Sequence, residues 1–325
     1  VADTLIVALN GVDVSDNILG VMPRFSVSET EVIVHYSPVY DVATGDKNFD
    51  ILIDMQDYHS SPYFKYLSHE NFYFSNPRYS KTEQAIKIAR ASKGLESFKN
   101  VKTYLTLRNG PAPEGKRIYE VSTTPSSPNG MVVVKLEDGA RGLGQVVIPA
   151  FQLQRFLALA GDAKDSKELR EWFPDIILGR LENEKKLGNL FGKYSVMVCE
   201  YVDNITQEYR ILFNGFDFKG YWRTRNDNEY SQANIDLSNH KKEIVPDFIE
   251  HDIPEVATDV TNVINKLGMR FGSIDLFLTS DGKWGIFEYC NQWGTYNINF
   301  NRVIDFNTGI IRNIVDEYLN AGESK

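Results

Sequence analysis

Cysteine is nearly missing from this 325-residue sequence. With Cys199 and Cys290 alone there is no disulfide framework and no Cys/His zinc spacing, and both thiols read as small buried side chains. Long apolar runs are missing too: none approaches the roughly 20 residues of a membrane span. The apolar part of the opening VADTLIVALNG is too short for a signal peptide, so the expectation is a cytoplasmic protein with no membrane partner. An excess of positive charge is also lacking. With 35 Lys and Arg against 44 Asp and Glu, the net charge is -9 and the pI near 5.2. That balance excludes a general nucleic-acid binder, which needs surplus Lys and Arg for phosphates, although local basic clusters remain open. Low-complexity segments and the Walker A pattern GxxxxGK[ST] are absent as well. What is there, 42% hydrophobic and 24% charged, suits a globular chain with room for two or three lobes.

The most informative stretch is Gly268 to Gly294, GMRFGSIDLFLTSDGKWGIFEYCNQWG, which reads as two strands joined at Asp281-Gly282. Counting outward from a two-residue turn sets Ser280 against Lys283, Leu278 against Gly285 and Asp275 against Glu288. Opposed carboxylates sit about 4.5 to 5.5 Å apart at Cβ and repel. Either the register slips, or one acid is protonated, or a divalent cation lies between them. Oxygen ligands of this kind suit Mg²⁺, which completes its shell with water and nucleotide phosphates. Asn291 is placed to add a neutral oxygen just beyond the strand.

Further upstream, Thr4 to Leu9, Val32 to Tyr36, Phe49 to Asp54 and Asn71 to Phe74 read as strands of a small α/β unit. After Asn76-Pro77, the run Ser80-Lys81-Thr82-Glu83 has the spacing of a capping box, and the helix should end at Gly94. Lys81 is thereby fixed at a helix start, with a solvated lysine as the plainer alternative. Val101 to Leu107 is the next strand. Met131 to Val134, ended by Lys135, and Val146 to Ile148 flank a loop containing Gly139, Arg141, Gly142 and Gly144. Such a loop lets backbone N–H groups turn toward an anion, a weak signal taken alone.

Ser195 to Cys199 is a buried strand leading into Glu200-Tyr201-Val202. Residues Glu208 to Phe213 follow, with Asn214-Gly215 as a two-residue turn returned by Phe216 to Trp222, and Arg223 and Arg225 after it. The polar segment Asn226 to Ile253 reads as a loop, Pro254 to Leu267 as a helix, and about Thr308 to Leu319 as a C-terminal helix with Ile310, Ile311, Ile314 and Leu319 inward.

From Lys81 to the end, this ordered set resembles the ATP-grasp superfamily. It has a lysine at a helix start, a strand with lysine before a Gly-rich hairpin, and an acidic hinge with a second glutamate. Basic residues follow, then Asp and Glu spaced by 13 and an Asn. The resemblance implies an α/β fold of α+β lobes, divided as 1–78 for a small pre-grasp domain, 79–199 for a central lobe and 200–325 for a C-terminal lobe. It implies that Lys81 and Lys135 hold ATP phosphates under the 139–144 loop. Glu200, Tyr201 and Val202 would read adenine, and Glu208 would take the ribose. Asp275, Glu288 and Asn291 would bind two Mg²⁺ ions, with Mn²⁺ as an alternative.

The YRILFNG stretch, with Arg210 and then Arg223 or Arg225, is most similar to the branch that ligates amino acids or peptides, RimK-like and graspetide-type ligases. The implied activity is an ATP-dependent carboxylate–amine ligase acting on small amino acids or peptides, and homodimers are common among similar ligases. Alternatives are a non-catalytic ATP-binding module or a kinase on the same scaffold. The sequence departs from the family at Glu-Tyr-Cys-Asn, where Glu-x-Asn is usual, so Cys290 takes the expected Asn position. The basic residue after the second hairpin is ambiguous among Lys219, Arg223 and Arg225.

Overall fold

β-branched and aromatic residues in short runs build three sheets, here taken from a computed structural model. It describes residues 4–10, 24–37, 49–55, 72–77, 79–107, 125–137, 144–161, 166–173, 178, 187–193, 195–213, 218–224, 254–290 and 300–323. The first sheet holds β1 (Thr4–Asn10), β2 (Arg24–Val27), β3 (Thr30–Ser37), β4 (Ile51–Asp54) and β5 (Phe72–Ser75) in the order β2-β3-β1-β4-β5. All its pairings are parallel except β2 with β3, which form a hairpin through Ser28 at φ 54°. β2 is unmarked in the sequence, because RFSV is short and its turn carries none of the usual glycine.

Helix α1 (Lys81–Ala91) starts as its capping box requires. Ser80 Oγ accepts from Glu83 N–H, and the Glu83 carboxylate accepts from Ser80 N–H at 2.9 Å. The helix stops at Ser92, whose hydroxyl donates to the Ile88 carbonyl at 2.7 Å, two residues short of Gly94. The second sheet, all antiparallel, contains β6 (Thr103–Leu107), β7 (Met131–Leu136), β8 (Val146–Pro149) and β9 (Val196–Glu200) in the order β6-β9-β7-β8. Its core is closed by α2 (Leu153–Gly161), α3 (Lys167–Arg170) and α4 (Leu187–Lys193), through Phe156, Leu169 and Phe191, with Phe173 just beyond α3. Lys135 lies inside β7, opposite Met197, and does not end the strand.

The third sheet, also antiparallel, has the order β11-β10-β12-β13, with β10 (Ile205–Phe213), β11 (Phe218–Thr224), β12 (Gly272–Thr279) and β13 (Trp284–Cys290). Phe213 stands opposite Phe218, so the connection spans 214–217 where a two-residue turn at Asn214-Gly215 was expected. One face of this sheet, carrying Ile211, Phe213, Ile274, Leu276 and Tyr289, packs on α5 (Pro254–Leu267) through Val260, Val263 and Ile264, and on α1 through Ile88.

Helix α6 (Phe300–Glu323) begins eight residues before the expected Thr308, since Asn301, Arg302, Asp305 and Asn307 break up the apolar pattern of its first two turns. Its Phe306, Ile310, Ile311, Ile314 and Val315 are buried against Leu5, Val7, Leu9, Ile51 and Ile53 of the first sheet. Each such side chain contributes about 1.5 to 3 kcal/mol on burial, so this contact joins the two ends of the chain. Phe271, just before β12, enters the same core, and Asn76 Nδ2 donates to its carbonyl. Among the described residues no helix is long and apolar enough to cross a membrane.

Candidate functional site

The hairpin of β12 and β13 reaches the expected acid pair by an unexpected route. Gly282 N–H donates to Thr279 O, Thr279 N–H donates to Lys283 O, and Gly282 has φ 77°. This is a three-residue loop with a left-handed glycine, not a two-residue turn. Near the tip, therefore, Leu278 faces Trp284, Phe277 faces Gly285 and Leu276 faces Ile286, one residue off the outward count. A bulge then restores the register: Phe287 has no partner, and Asp275 faces Glu288 after all.

The bulge matters because side chains alternate along a strand. Without it, Glu288 would fall on the face that packs on α5; the extra residue returns it to the side of Asp275. Gly285 makes room for the Phe277 ring, which a Cβ there would meet at 2.0 Å, and Phe277 in turn stacks 4.5 Å from Phe287.

Asp275 is 2% exposed, and Lys81 Nζ lies 3.4 Å from Glu288 Oε2. The pairing arises because α1 runs along the β13 edge, where Tyr289 N–H donates to Gln84 Oε1 at 3.2 Å. Arg210 occupies the position opposite Asp275 on the other side of β12, and Arg223 the position opposite buried Glu208. Lys219 stands opposite Leu212. Positions 208, 210, 219, 223, 275 and 288 thus share the face turned away from α5. Among the described residues no three His, Cys, Asp or Glu side chains converge as a metal site, and the third ligand expected, Asn291, lies outside them.

Between this sheet and the second one runs a cleft. Its walls are Ile88 of α1, Val133 and Met197 of the second sheet, and Ile286 and Phe287 of β13. Lys135, Glu200, Tyr201 and Val202 also line it. Apolar walls with polar groups at the rim suit a flat heteroaromatic ring with a charged tail. Cys199 is a wall residue too, and burial pushes its thiol pKa up, against the lowering effect of Lys135. It is therefore an apolar contact and not a nucleophile.

The rim is held rigidly. Glu200 Oε1 accepts from Lys99 Nζ at 2.6 Å and Oε2 from Lys102 N–H at 3.2 Å, so its carboxylate fastens the end of β9 to residues 99–102. Asn129 accepts from Met131 N–H through Oδ1, which orients its Nδ2 onto the Tyr201 carbonyl at 2.9 Å. Glu137, next to the Gly-rich loop, accepts from Thr82 N–H at the start of α1 at 3.0 Å. Lys99, Asn129 and Glu137 carried no pattern in the sequence; only the meeting of separate segments gives them a role.

Of the expected site residues, Lys135, Glu200, Tyr201 and Val202 line one cleft, Lys81 and Glu288 lie on elements that also line it, α1 and β13, and Asp275 lies on the neighbouring strand β12. Gly144, at φ 73°, is held against Leu136 at the foot of its loop. Gly139, Arg141, Gly142, Arg225 and Asn291, like the segment 226–253, lie outside the described residues, and Arg210 and Arg223 are described only as strand positions.

No protein-family model matches the sequence, and no curated protein matches it either. Solved structures do. D-alanine–D-alanine ligase from Bacillus anthracis matches over 99% of this chain and 100% of its own, with TM-score 0.50 and 13% identity. L-amino acid ligase from Bacillus licheniformis matches over 90% and 70%, with TM-score 0.43 and 11% identity. A RimK domain ATP-grasp protein from Sphaerobacter thermophilus matches over 94% and 97%, with TM-score 0.42 and 13% identity. The end-to-end correspondence with the Bacillus anthracis ligase, together with the three sheets and the cleft between two of them, identifies this chain as having the ATP-grasp fold.

Proposed function

We propose that the protein is an ATP-dependent carboxylate–amine ligase for an amino acid or peptide. The observation that carries the reading is the arrangement of two opposed acids, Asp275 and Glu288, beside a cleft lined by Lys135 and the Glu200–Val202 hinge. The names of the matched structures, ligases of amino acids among them, agree with it.

In this reading the base lies between Val133, Met197, Ile286 and Phe287, read by the backbone of Tyr201 and Val202. Glu208 takes the ribose, while Lys135, Lys81 and the 139–144 loop hold the phosphates. Asp275 and Glu288, with Asn291, would hold Mg²⁺, for which their hard oxygen donors fit; when bound it supplies charge neutralisation at the γ-phosphoryl. Lys81 would then leave Glu288 for a phosphate oxygen.

A substrate carboxylate oxygen attacks the γ-phosphorus as the bond to the bridging oxygen breaks, giving ADP and an acylphosphate. The amine nitrogen attacks the acyl carbon, the bond from carbon to the phosphate oxygen breaks, and the nitrogen loses a proton. The products are an amide and phosphate. Such transfers need positioning and charge more than covalent help, and Arg210, Arg223 or Arg225 is the cation offered to the oxyanion.

The test is ADP release with Mg-ATP and panels of amino acids and dipeptides, with products identified by mass spectrometry. Release that needs a carboxylate and an amine, with a product lighter than the reactants by one water, is expected. Turnover with an alcohol acceptor alone would favour a kinase, and binding of ATP with no turnover on the full panel a non-catalytic module.

A further inference from the structure

One wall of the nucleotide cleft comes from residues 97–102, a strap bonded to both of the sheets that flank it. Toward the third sheet it pairs with Trp284 of β13: Trp284 N–H donates to Ser97 O at 2.8 Å, and Lys99 N–H donates to Trp284 O. Ser97 Oγ also donates to Asp259 of α5 at 2.6 Å. Toward the second sheet, Glu200 N–H at the end of β9 donates to Lys102 O at 2.8 Å, while the Glu200 carboxylate accepts from Lys99 Nζ and Lys102 N–H. Both carboxylate oxygens are thus taken up by the strap, and the side chain is only 11% exposed. Glu200 holds the cleft wall in place and is not the group that reads a base.

Asn100 stands in the middle of the strap, fixed on either side, and lines the cleft beside Ile88, Val101 and Tyr201. One end of its side-chain amide meets the hydroxyl of Ser92, which is buried at the end of α1. With Oδ1 at that end, 2.6 Å from Ser92 Oγ, a single hydroxyl proton would have to serve two oxygens, because Ile88 O lies 2.7 Å away on the same hydroxyl. The two ends of an amide have the same shape, so the proton count decides between them. Turned over, Nδ2 donates to Ser92 Oγ and Ser92 Oγ donates to Ile88 O, which leaves no pair of oxygens without a proton between them. Oδ1 is then the other end of the amide, an acceptor with no partner among the described residues.

We infer that Asn100 is the specificity-determining side chain for the purine base, its Oδ1 accepting a hydrogen bond from an exocyclic 6-amino group, so that the protein takes adenine and turns away a 6-oxo purine. This deepens the ATP-dependent reading of the cleft and rests on it. An amino group has two protons, so this acceptor adds to the backbone of Tyr201 and Val202 and does not replace it. A 6-oxo purine would set an oxygen against Oδ1 with no proton between the two, and an unmade bond in a closed site costs more than a made one contributes. Glu200 is a positioning residue in this arrangement, acting through the strap that carries Asn100.

The experiment is calorimetric titration of the full chain in Mg²⁺ with ATP, with purine riboside triphosphate, which lacks the 6-amino group, and with ITP, which carries an oxygen there. The wild type should bind ATP at least about tenfold more tightly than either analogue. In Asn100→Leu, close in size but without an acceptor, the Kd for ATP should rise at least about fivefold and the Kd for purine riboside triphosphate stay within about twofold. Asn100→Asp, which keeps an acceptor, should retain the preference for ATP. Glu200→Gln should weaken ATP and purine riboside triphosphate alike and leave their ratio in place. Equal binding of those two nucleotides by the wild type would overturn the inference without any variant. So would an unchanged ATP preference in Asn100→Leu, or its loss in Glu200→Gln. In each of those cases ATP still binds and the ligase reading stands, whereas a folded wild type that binds none of the three removes both.

Discussion

Lys81 Nζ and Glu288 Oε2 are 3.4 Å apart, with the side chains only 19% and 17% exposed. A lysine from the first turn of α1 thus partly neutralises an acid placed directly opposite another across a ladder. The like-charge strain of Asp275 against Glu288 is relieved by a cation that the chain itself supplies. A helix reaching across from a distant part of the sequence therefore stands at the place where the ligase reading puts a divalent ion.

The pair should be measurable in the folded protein without nucleotide. In a double-mutant cycle of Lys81→Met and Glu288→Gln, followed by urea unfolding, the coupling energy is expected at about 1 kcal/mol, reduced from a buried pair by residual solvent. Zero coupling would show that the contact is incidental.

Activity should depend on both acids. Asp275→Asn and Glu288→Gln are expected to lower ADP release at least about 100-fold, some 2.7 kcal/mol of transition-state stabilisation, while the melting transition stays cooperative. Unaltered turnover in either variant would sink the metal assignment.

Gly285 is expected to tolerate no side chain. An alanine Cβ would sit 2.0 Å from the Phe277 ring, so Gly285→Ala should destabilise by about 1 to 3 kcal/mol. Because Phe277 and Phe287 flank the bulge that turns Glu288 forward, turnover should fall in the same variant at temperatures where it remains folded. A variant as stable and active as the wild type would mean that the bulge does not depend on this gap.

Alkaline pH should weaken the fold. Burial raises the pKa of the Cys199 thiol and of the Tyr104, Tyr209 and Tyr289 phenols, most strongly for Tyr289. The unfolded chain then releases these protons first, near pH 8.5 for Cys and about 10 for Tyr. Stability should hold below that range and fall as pH rises through it, by up to about 1.4 kcal/mol per pH unit for each group still protonated in the fold. Urea midpoints between pH 7 and 11 test this, and Cys199→Ala should remove the earliest part of the decline.

Much of the site could be read before any coordinates. The capping box placed Lys81 at a helix start, the strand around Lys135 is where the apolar run put it, and Asp275 faces Glu288 as the outward count required. The last agreement was reached through two opposite shifts, a longer turn and a bulge, neither of which leaves a mark in the residue alternation. The connection at Asn214-Gly215 likewise proved two residues longer. A shift of two keeps every side chain on its face, so the positions of Arg210 and Arg223 on the acid-bearing face survive it.

Local chemistry determined what can be determined locally: where α1 and most of the strands lie, which residues are apolar, and which acids, lysines and glycines stand at their ends. Those depend on backbone propensity and alternation within about ten residues. Only the tertiary structure decided that α6 packs on the N-terminal sheet, that Lys99 and Asn129 fasten Glu200 and Tyr201, and that Asp54 pairs with Asn10 across β1 and β4. Each of these joins segments far apart in the chain. Such contacts are selected by shape and burial once the sheets are assembled, and no short window of sequence contains both partners.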